Sequence, residues 1–170
     1  MILDPCFFTR DVQVVAKELL GKSLCVARGD GDVVRSVITE TEAYDGEQDL
    51  ACHARNGKTE RNSVMYMKGG IWYIYLCYGM HWMVNVVASC DGYPAAVLLR
   101  GTSTFKGPGR LSKGFQIDGS FNGRDIARSS FLWIEESDEK VGRIFSGPRI
   151  GVDFAGPKWR DIPYRFWFSK

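Results

Sequence analysis

The sequence predicts an α+β domain, a strand-rich antiparallel or mixed sheet with helices packed around it. Three observations lead there. Short runs of aromatic and β-branched residues recur along most of the chain, bounded by glycine-bearing turns. Residues 11–20 instead place Val12, Val15, Ala16 and Leu19 at helical spacing on one face. No repeat, low-complexity tract or linker divides the 170 residues. One compact domain over residues 1–170 follows, long enough to bury roughly two thirds of its unfolded surface.

In chain order, the helix at 11–20 starts with Thr9 or Asp11 as its cap and stops at Gly21. Strands follow at Ser23–Ala27 and 33–43, about the turn Gly29-Asp30-Gly31-Asp32. Residues 44–62 are polar and without a sustained period, a long ordered loop or a short helix plus loop. Loops of that length inside compact domains are usually functional. Two strands, 71–77 and His81–Val87, flank Tyr78-Gly79-Met80. A hairpin tip normally carries small polar residues that accept positive φ and face water. Here a tyrosine and a methionine flank the glycine, so the tip is either covered by protein or built to enter something else. A short apolar strand at 95–100 precedes a loop-like stretch, 102–113, where Pro108 can start a helix running through Leu111, Ser112 and Lys113. Strands at 131–135, 148–152 and Arg165–Phe168 complete the chain.

The net charge is only +2, so any nucleic-acid partner must be argued from distribution rather than total. Glu40, Glu42, Asp45, Glu47 and Asp49 crowd one segment. Arg100, Lys106, Arg110 and Lys113 occupy a stretch without acids between Asp91 and Asp118, and Arg143, Arg149, Lys158, Arg160, Arg165 and Lys170 follow. The cysteines, Cys6, Cys25, Cys52, Cys77 and Cys90, are odd in number and lack Cys-x-x-Cys spacing. This argues against a disulfide framework and against a zinc site of the usual spacing. The first residues lack the layout of a signal peptide and no apolar run reaches membrane-spanning length, so an intracellular, reducing compartment is expected.

Strand alternation places Glu40, Glu42 and Tyr44 on one face. They are either a solvent-facing pair with a neighbour or part of a polar cleft in which one carboxylate serves as general base. His53 sits in the following loop and is structural or functional on the same terms. Asn85 lies in an otherwise apolar strand and must find partners, as a satisfied amide or a group that reads a ligand. Tyr73 and Tyr75 share a face, which is aromatic packing or, with Tyr44 and His53, a slot for a flat base. An exposed aromatic at a hairpin turn can act as a wedge between base pairs. The loop Gly107-Pro108-Gly109-Arg110 can offer N–H groups and cations to phosphates.

Glu40-Thr41-Glu42-Ala43-Tyr44, Cys52-His53-Ala54-Arg55, Arg61-Asn62 and the run from Tyr73 through Tyr78-Gly79-Met80 to Asn85 resemble the alkyladenine (3-methyladenine) DNA glycosylase family. Leu19-Leu20-Gly21-Lys22, Val97-Leu98-Leu99-Arg100, Gly107-Pro108-Gly109-Arg110-Leu111 and Arg149-Ile150-Gly151-Val152 extend the likeness, in order, over nearly the whole chain. The resemblance implies a mostly antiparallel, curved, barrel-like sheet with surrounding helices and a protruding β-hairpin that enters the DNA minor groove. It implies no metal and no cofactor, and a monomer acting on double-stranded DNA that contains damaged purines. It implies no membrane, and a location in the cytoplasm or nucleoid of a bacterium or the nucleus of a eukaryote.

By the same resemblance Glu42 deprotonates the attacking water, helped by Arg100. Tyr44, His53 and Tyr75 form the slot, a backbone group of His53 reads the purine edge, and Asn85 crowds the 2-amino group of guanine. Tyr78, with Met80 beside it, enters the base stack, and Gly107, Gly109, Arg110 and Lys113 face the DNA backbone. The implied enzyme is a monofunctional glycosylase that needs no lysine nucleophile. The segment after Arg100 is shorter than the family pattern, Tyr66 replaces a phenylalanine, and Ala155-Gly156-Pro157-Lys158 departs from the usual Ala-Gly-Glu. Two rival readings are a non-catalytic RNA-binding module, like the C-terminal domain of methionyl-tRNA formyltransferase, and a glycoside hydrolase using Glu40 with Glu42.

Overall fold

The computed structural model describes residues 1–29, 31–127 and 131–169. Asp30 of the expected Gly29–Asp32 turn and the basic Lys170 lie outside the described residues. Strand β1 (Ser23–Ala27) pairs with the first part of β2 (Val33–Asp45), the longest element of the chain. The second part of β2 pairs with β5 (Ala95–Thr102) on one edge and β8 (Arg165–Phe168) on the other. Strands β3 (Trp72–Cys77) and β4 (His81–Val87) extend the sheet beyond β5. Strand β6 (Leu132–Glu135) flanks β1, and β7 (Ile144–Gly147) flanks β8. All these pairings are antiparallel, in the order β3-β4-β5-β2-β1-β6 with β7 and β8 off that path.

The register of β2 on β5 shifts between Ile38 and Thr41, a bulge at Glu40. A bulge bends its strand and increases the local twist, and the sheet curls into a half-barrel with, among the described residues, four helices around it. One face of the sheet is apolar and buried, with Ile38, Ala43, Trp72, Ile74, Val84, Val86, Val97 and Leu99 in the main core. Helix α1 (Pro5–Phe8) is short, and α2 (Val12–Glu18) buries Val12, Val15 and Ala16. The cap of α2 is Asp11, not Thr9: its carboxylate accepts the Gln13 and Val14 N–H groups at 2.9 and 3.1 Å. The Thr41 hydroxyl donates to the Ala16 carbonyl at 2.8 Å and ties α2 to β2. Helix α3 (Pro108–Phe115) opens on its proline as expected, and α4 (Gly156–Asp161) precedes β8.

The β3–β4 tip is not covered. Tyr78 is 89% and Met80 70% exposed. The Met80 N–H donates to the Cys77 carbonyl at 3.1 Å, and both residues between them have positive φ, 50° at Tyr78 and 66° at Gly79. This is the sense of turn that the strand twist favours. Glycine takes it freely, whereas an aromatic residue there is rare and costs on the order of 1 kcal/mol.

The expected strand at 148–152 is absent, and the strand of this region lies earlier, at Ile144–Gly147. Pro148 has no N–H to give a ladder, and Gly151 turns the chain at φ 78°. What fixes the segment is a buried ion pair. Arg149 donates to both oxygens of Asp49, Nη2 to Oδ1 at 2.8 Å, and both side chains have no exposed surface. Arg149 also donates to the carbonyls of Ala43 (2.9 Å) and Trp159 (3.2 Å), with its guanidinium 4.7 Å from the Tyr44 ring centroid. Asp49 in turn accepts the N–H groups of Asp45 and Ala51 at 3.1 and 3.0 Å. One clamp therefore joins the end of β2, the loop after it and the segment before α4.

Breaking such a pair from one side leaves a buried charge without its partner. Asp49→Asn is expected to lose roughly 3–5 kcal/mol of unfolding free energy in urea titrations. A loss of less than about 1 kcal/mol, the worth of an exposed pair, would show that the clamp does not hold the fold.

Candidate active site

Sheet register assembles the site. Tyr73 pairs with Asn85, Asn85 with Leu98, and Leu98 with Glu42, so these four side chains form one row across β3, β4, β5 and β2. Tyr75 pairs with Met83, and Tyr44 with Ala96, on the same face. With His53, Arg61, Arg100, Ile150 and Phe154 they line a cavity of about 440 Å³. Its volume falls within the range of small-molecule sites. The cavity lies on the sheet face opposite the main core, and Tyr78 reaches its margin.

Glu42 is fully buried there. Its Oε1 accepts the Ile150 N–H at 2.8 Å and lies 3.3 Å from Arg100 Nη1, while its Oε2 accepts the Tyr44 hydroxyl at 2.8 Å. Burial raises the Glu42 pKa above the usual 4.5, opposed chiefly by Arg100, then by the Ile150 N–H and the Tyr44 hydroxyl. Burial and the Glu42 charge push the Tyr44 phenol well above its usual 10, so it stays a donor.

Glu40 has a different place. Its Oε1 is shared by Arg100 Nε at 3.3 Å and Arg165 Nη1 at 3.0 Å. It lines a separate recess with Lys106, Arg165 and Trp167 rather than the aromatic cavity. The two carboxylates thus lie on either side of Arg100, and only Glu42 belongs to the cavity.

The walls are aromatic. His53 opens the 3-10 turn His53–Asn56, and its ring centroid lies 4.5 Å from that of Tyr75. Its Nδ1 meets the Tyr73 hydroxyl at 2.9 Å, and Tyr73 itself is buried. Asn62 holds the turn by donating to the carbonyls of His53 and Gly57, both at 3.0 Å. His53 is exposed as a residue, yet burial of its ring by surrounding protein atoms, then Arg61 and Arg55, bring its pKa down from 6.5 to about 4. The imidazole is therefore neutral at neutral pH. Asn85 is buried, and its amide donates to the carbonyls of Tyr73 (3.0 Å) and Met83 (3.3 Å).

The expected backbone-facing residues lie along α3, Gly107, Gly109 and Arg110 at its start and Lys113 in its last turn. Gly107 is its N-cap with φ 94°, and Arg110 and Lys113 are exposed. Gly109 packs under His81, where an added Cβ would lie 3.0 Å from the imidazole. Pro108 of the same turn reaches the cavity lining.

All the expected pocket residues meet in this cavity: Glu42, Arg100, Tyr44, His53, Tyr75 and Asn85. Ile150 and Phe154, the latter 64% exposed at the rim, had not been singled out. The only advance signal for Ile150 was the motif Arg149-Ile150-Gly151-Val152, and for Arg61 the pair Arg61-Asn62; Phe154 carried none. Among the described residues no cluster of metal-ligating side chains is present, and no helix is long and apolar enough to cross a membrane.

Comparison with known proteins identifies the family. A model of the methylpurine-DNA glycosylase family matches residues 6–106 and 102–170. A protein of Myxococcus xanthus is 42% identical over 175 residues, covering 97% of this chain and 89% of its own. One of Anaeromyxobacter is 42% identical, covering 94% and 85%. One of Psychrobacter cryohalolentis is 38% identical, covering 91% and 86%. All three carry the provisional name 3-methyladenine DNA glycosylase. The chain belongs to the methylpurine-DNA glycosylase family.

Proposed function

We propose that the protein releases damaged purines from duplex DNA by hydrolysing the N-glycosidic bond, acting as a monomer inside the cell. The observation that carries this reading is a buried carboxylate, Glu42, in one cavity with an aromatic slot, beside an exposed tyrosine wedge.

The chemistry follows from the geometry. A base must leave the helical stack to be reached. Tyr78 enters the minor groove and fills the space that the base vacates, with Met80 beside it. Gly107, Gly109, Arg110 and Lys113 hold the backbone. The purine stacks between Tyr44, His53 and Tyr75. A neutral His53 places no charge against a cationic base, and the aromatic faces attract one. The His53 carbonyl accepts from Asn62, and the His53 N–H is the backbone group that reads the purine edge in this scheme. Asn85 on the cavity floor crowds a 2-amino group and so disfavours guanine.

The Ile150 N–H and the Tyr44 hydroxyl each donate to one Glu42 oxygen, and Arg100 lies 3.3 Å from Oε1, so the carboxylate keeps lone pairs for a water. That water enters from the cavity that Glu42 lines. Its oxygen bonds to C1′ as the C1′–N bond breaks with its electron pair going to the base. Glu42 takes the water's proton, and Arg100 steadies both carboxylate and backbone. Among the described residues no lysine lines the cavity, which supports a hydrolytic, monofunctional reaction over one that forms a Schiff base with the sugar. The glycoside-hydrolase reading fails on Glu40, which lies outside the cavity. The binding-module reading gives a buried carboxylate no purpose.

Glu42→Gln is expected to bind a damaged duplex and release no free base, measured by chromatography of the freed purine. Undiminished release would sink the mechanism. The same substitution carries a stability signature. The folded Glu42 pKa is raised, so its ionised form costs stability at pH 7. The variant should therefore melt higher at pH 7, with the gap closing below the ordinary 4.5, where the carboxyl is protonated folded or unfolded. Tyr78→Ala should weaken binding and release on paired lesions far more than on an already unpaired lesion. Equal losses on both would place Tyr78 in the slot rather than in the stack.

A further inference from the structure

Arg61 is a cation at the slot with a task that the hydrolytic mechanism above does not use. Its guanidinium lies 5.9 Å from the Tyr75 ring centroid and lines the same cavity as Glu42. It is exposed, and its one side-chain hydrogen bond among the described residues runs from Nη2 to the Leu76 carbonyl at 3.2 Å. A second guanidinium, that of Arg149, lies 4.7 Å from the Tyr44 ring, but it is neutralised by Asp49. Among the described residues no carboxylate pairs with Arg61, whose Nη2 donates to a backbone carbonyl. After burial, its positive charge is the next influence lowering the pKa of His53, which lines the same slot.

The two kinds of damaged purine respond oppositely to such a charge. A ring-alkylated base is cationic in the slot and departs neutral, so a nearby cation opposes its binding and gives nothing to its departure. An uncharged purine such as hypoxanthine binds without repulsion. When its C1′–N9 bond breaks, the electron pair leaves negative charge on the ring, which then takes a proton from solvent. A fixed cation stabilises that developing charge more than the ground state, and only such differential stabilisation accelerates the step.

We infer that Arg61 is a specificity-determining residue that shifts the enzyme from cationic toward uncharged purine lesions by stabilising the anionic leaving base. This rests on the glycosylase reading above. It makes Arg61 distinct from a phosphate-gripping arginine, which would help all lesions alike.

The test is single-turnover release of hypoxanthine and of 7-methylguanine from otherwise identical duplexes by wild type, Arg61→Gln and Arg61→Lys. The hypoxanthine-to-7-methylguanine rate ratio should fall by roughly 10-fold or more in Arg61→Gln. Arg61→Lys, which keeps the charge, should retain most of the ratio. An unchanged ratio in Arg61→Gln, with both rates lowered together or both unaffected, would overturn the inference. Release of neither base by the wild-type protein would instead refute the glycosylase reading itself.

Discussion

The proposed reaction depends on keeping a carboxylate charged where its surroundings oppose charge. Moving a carboxylate out of water costs several kcal/mol after relaxation. Glu42 sits with no exposed surface, and burial is the largest influence on its pKa. Three donors from three parts of the chain counter it: Arg100 on β5, Ile150 in the 148–152 segment and Tyr44 two residues along β2. A base that is ionised yet poorly solvated is suited to taking a proton from water. The cost of that arrangement falls on the fold.

The Asp49–Arg149 clamp is what brings the second of those donors into place. Ile150 follows Arg149 directly, so the pair that buries Arg149 also aims the Ile150 N–H at Glu42. The same guanidinium backs the Tyr44 ring, and the loop that Asp49 orders leads into the His53 turn. Positioning of the carboxylate and of two slot walls is therefore one mechanical problem with one solution. The hairpin makes a similar concession at its tip, where Tyr78 adopts positive φ and faces water. Both features are poor choices for stability alone, and the proposed reaction gives each of them a use.

Much of this was legible in the sequence wherever the signal was local. The alternation in β2 places Glu42 and Tyr44 on one face, the aromatic pattern of β3 does the same for Tyr73 and Tyr75, and Pro108 marks the start of α3. The failures were of another kind. Residues 148–152 read as a strand because Ile150 and Val152 are β-branched and apolar. Yet Pro148 and Gly151 forbid a regular ladder, and the Ile150 N–H is spent on Glu42 across 108 residues of chain. Pairing over such separations leaves no periodicity to read. Phe154 reaches the cavity only because the clamp folds its segment there, and the division of Glu40 from Glu42 depends on a bulge. Spacing alone had left those two carboxylates equivalent.

The central claim, a buried Glu42 that must be ionised to act, is tested most directly by the pH dependence of single-turnover base release on a lesion that does not itself titrate in acid. Activity should fall as pH drops through the Glu42 pKa, with the acid limb above 4.5 because burial raises it. Arg100→Gln removes the strongest opposing charge and should move that limb to higher pH, in addition to lowering the plateau. A limb at or below 4.5 that stays in place when Arg100 is replaced would contradict the account.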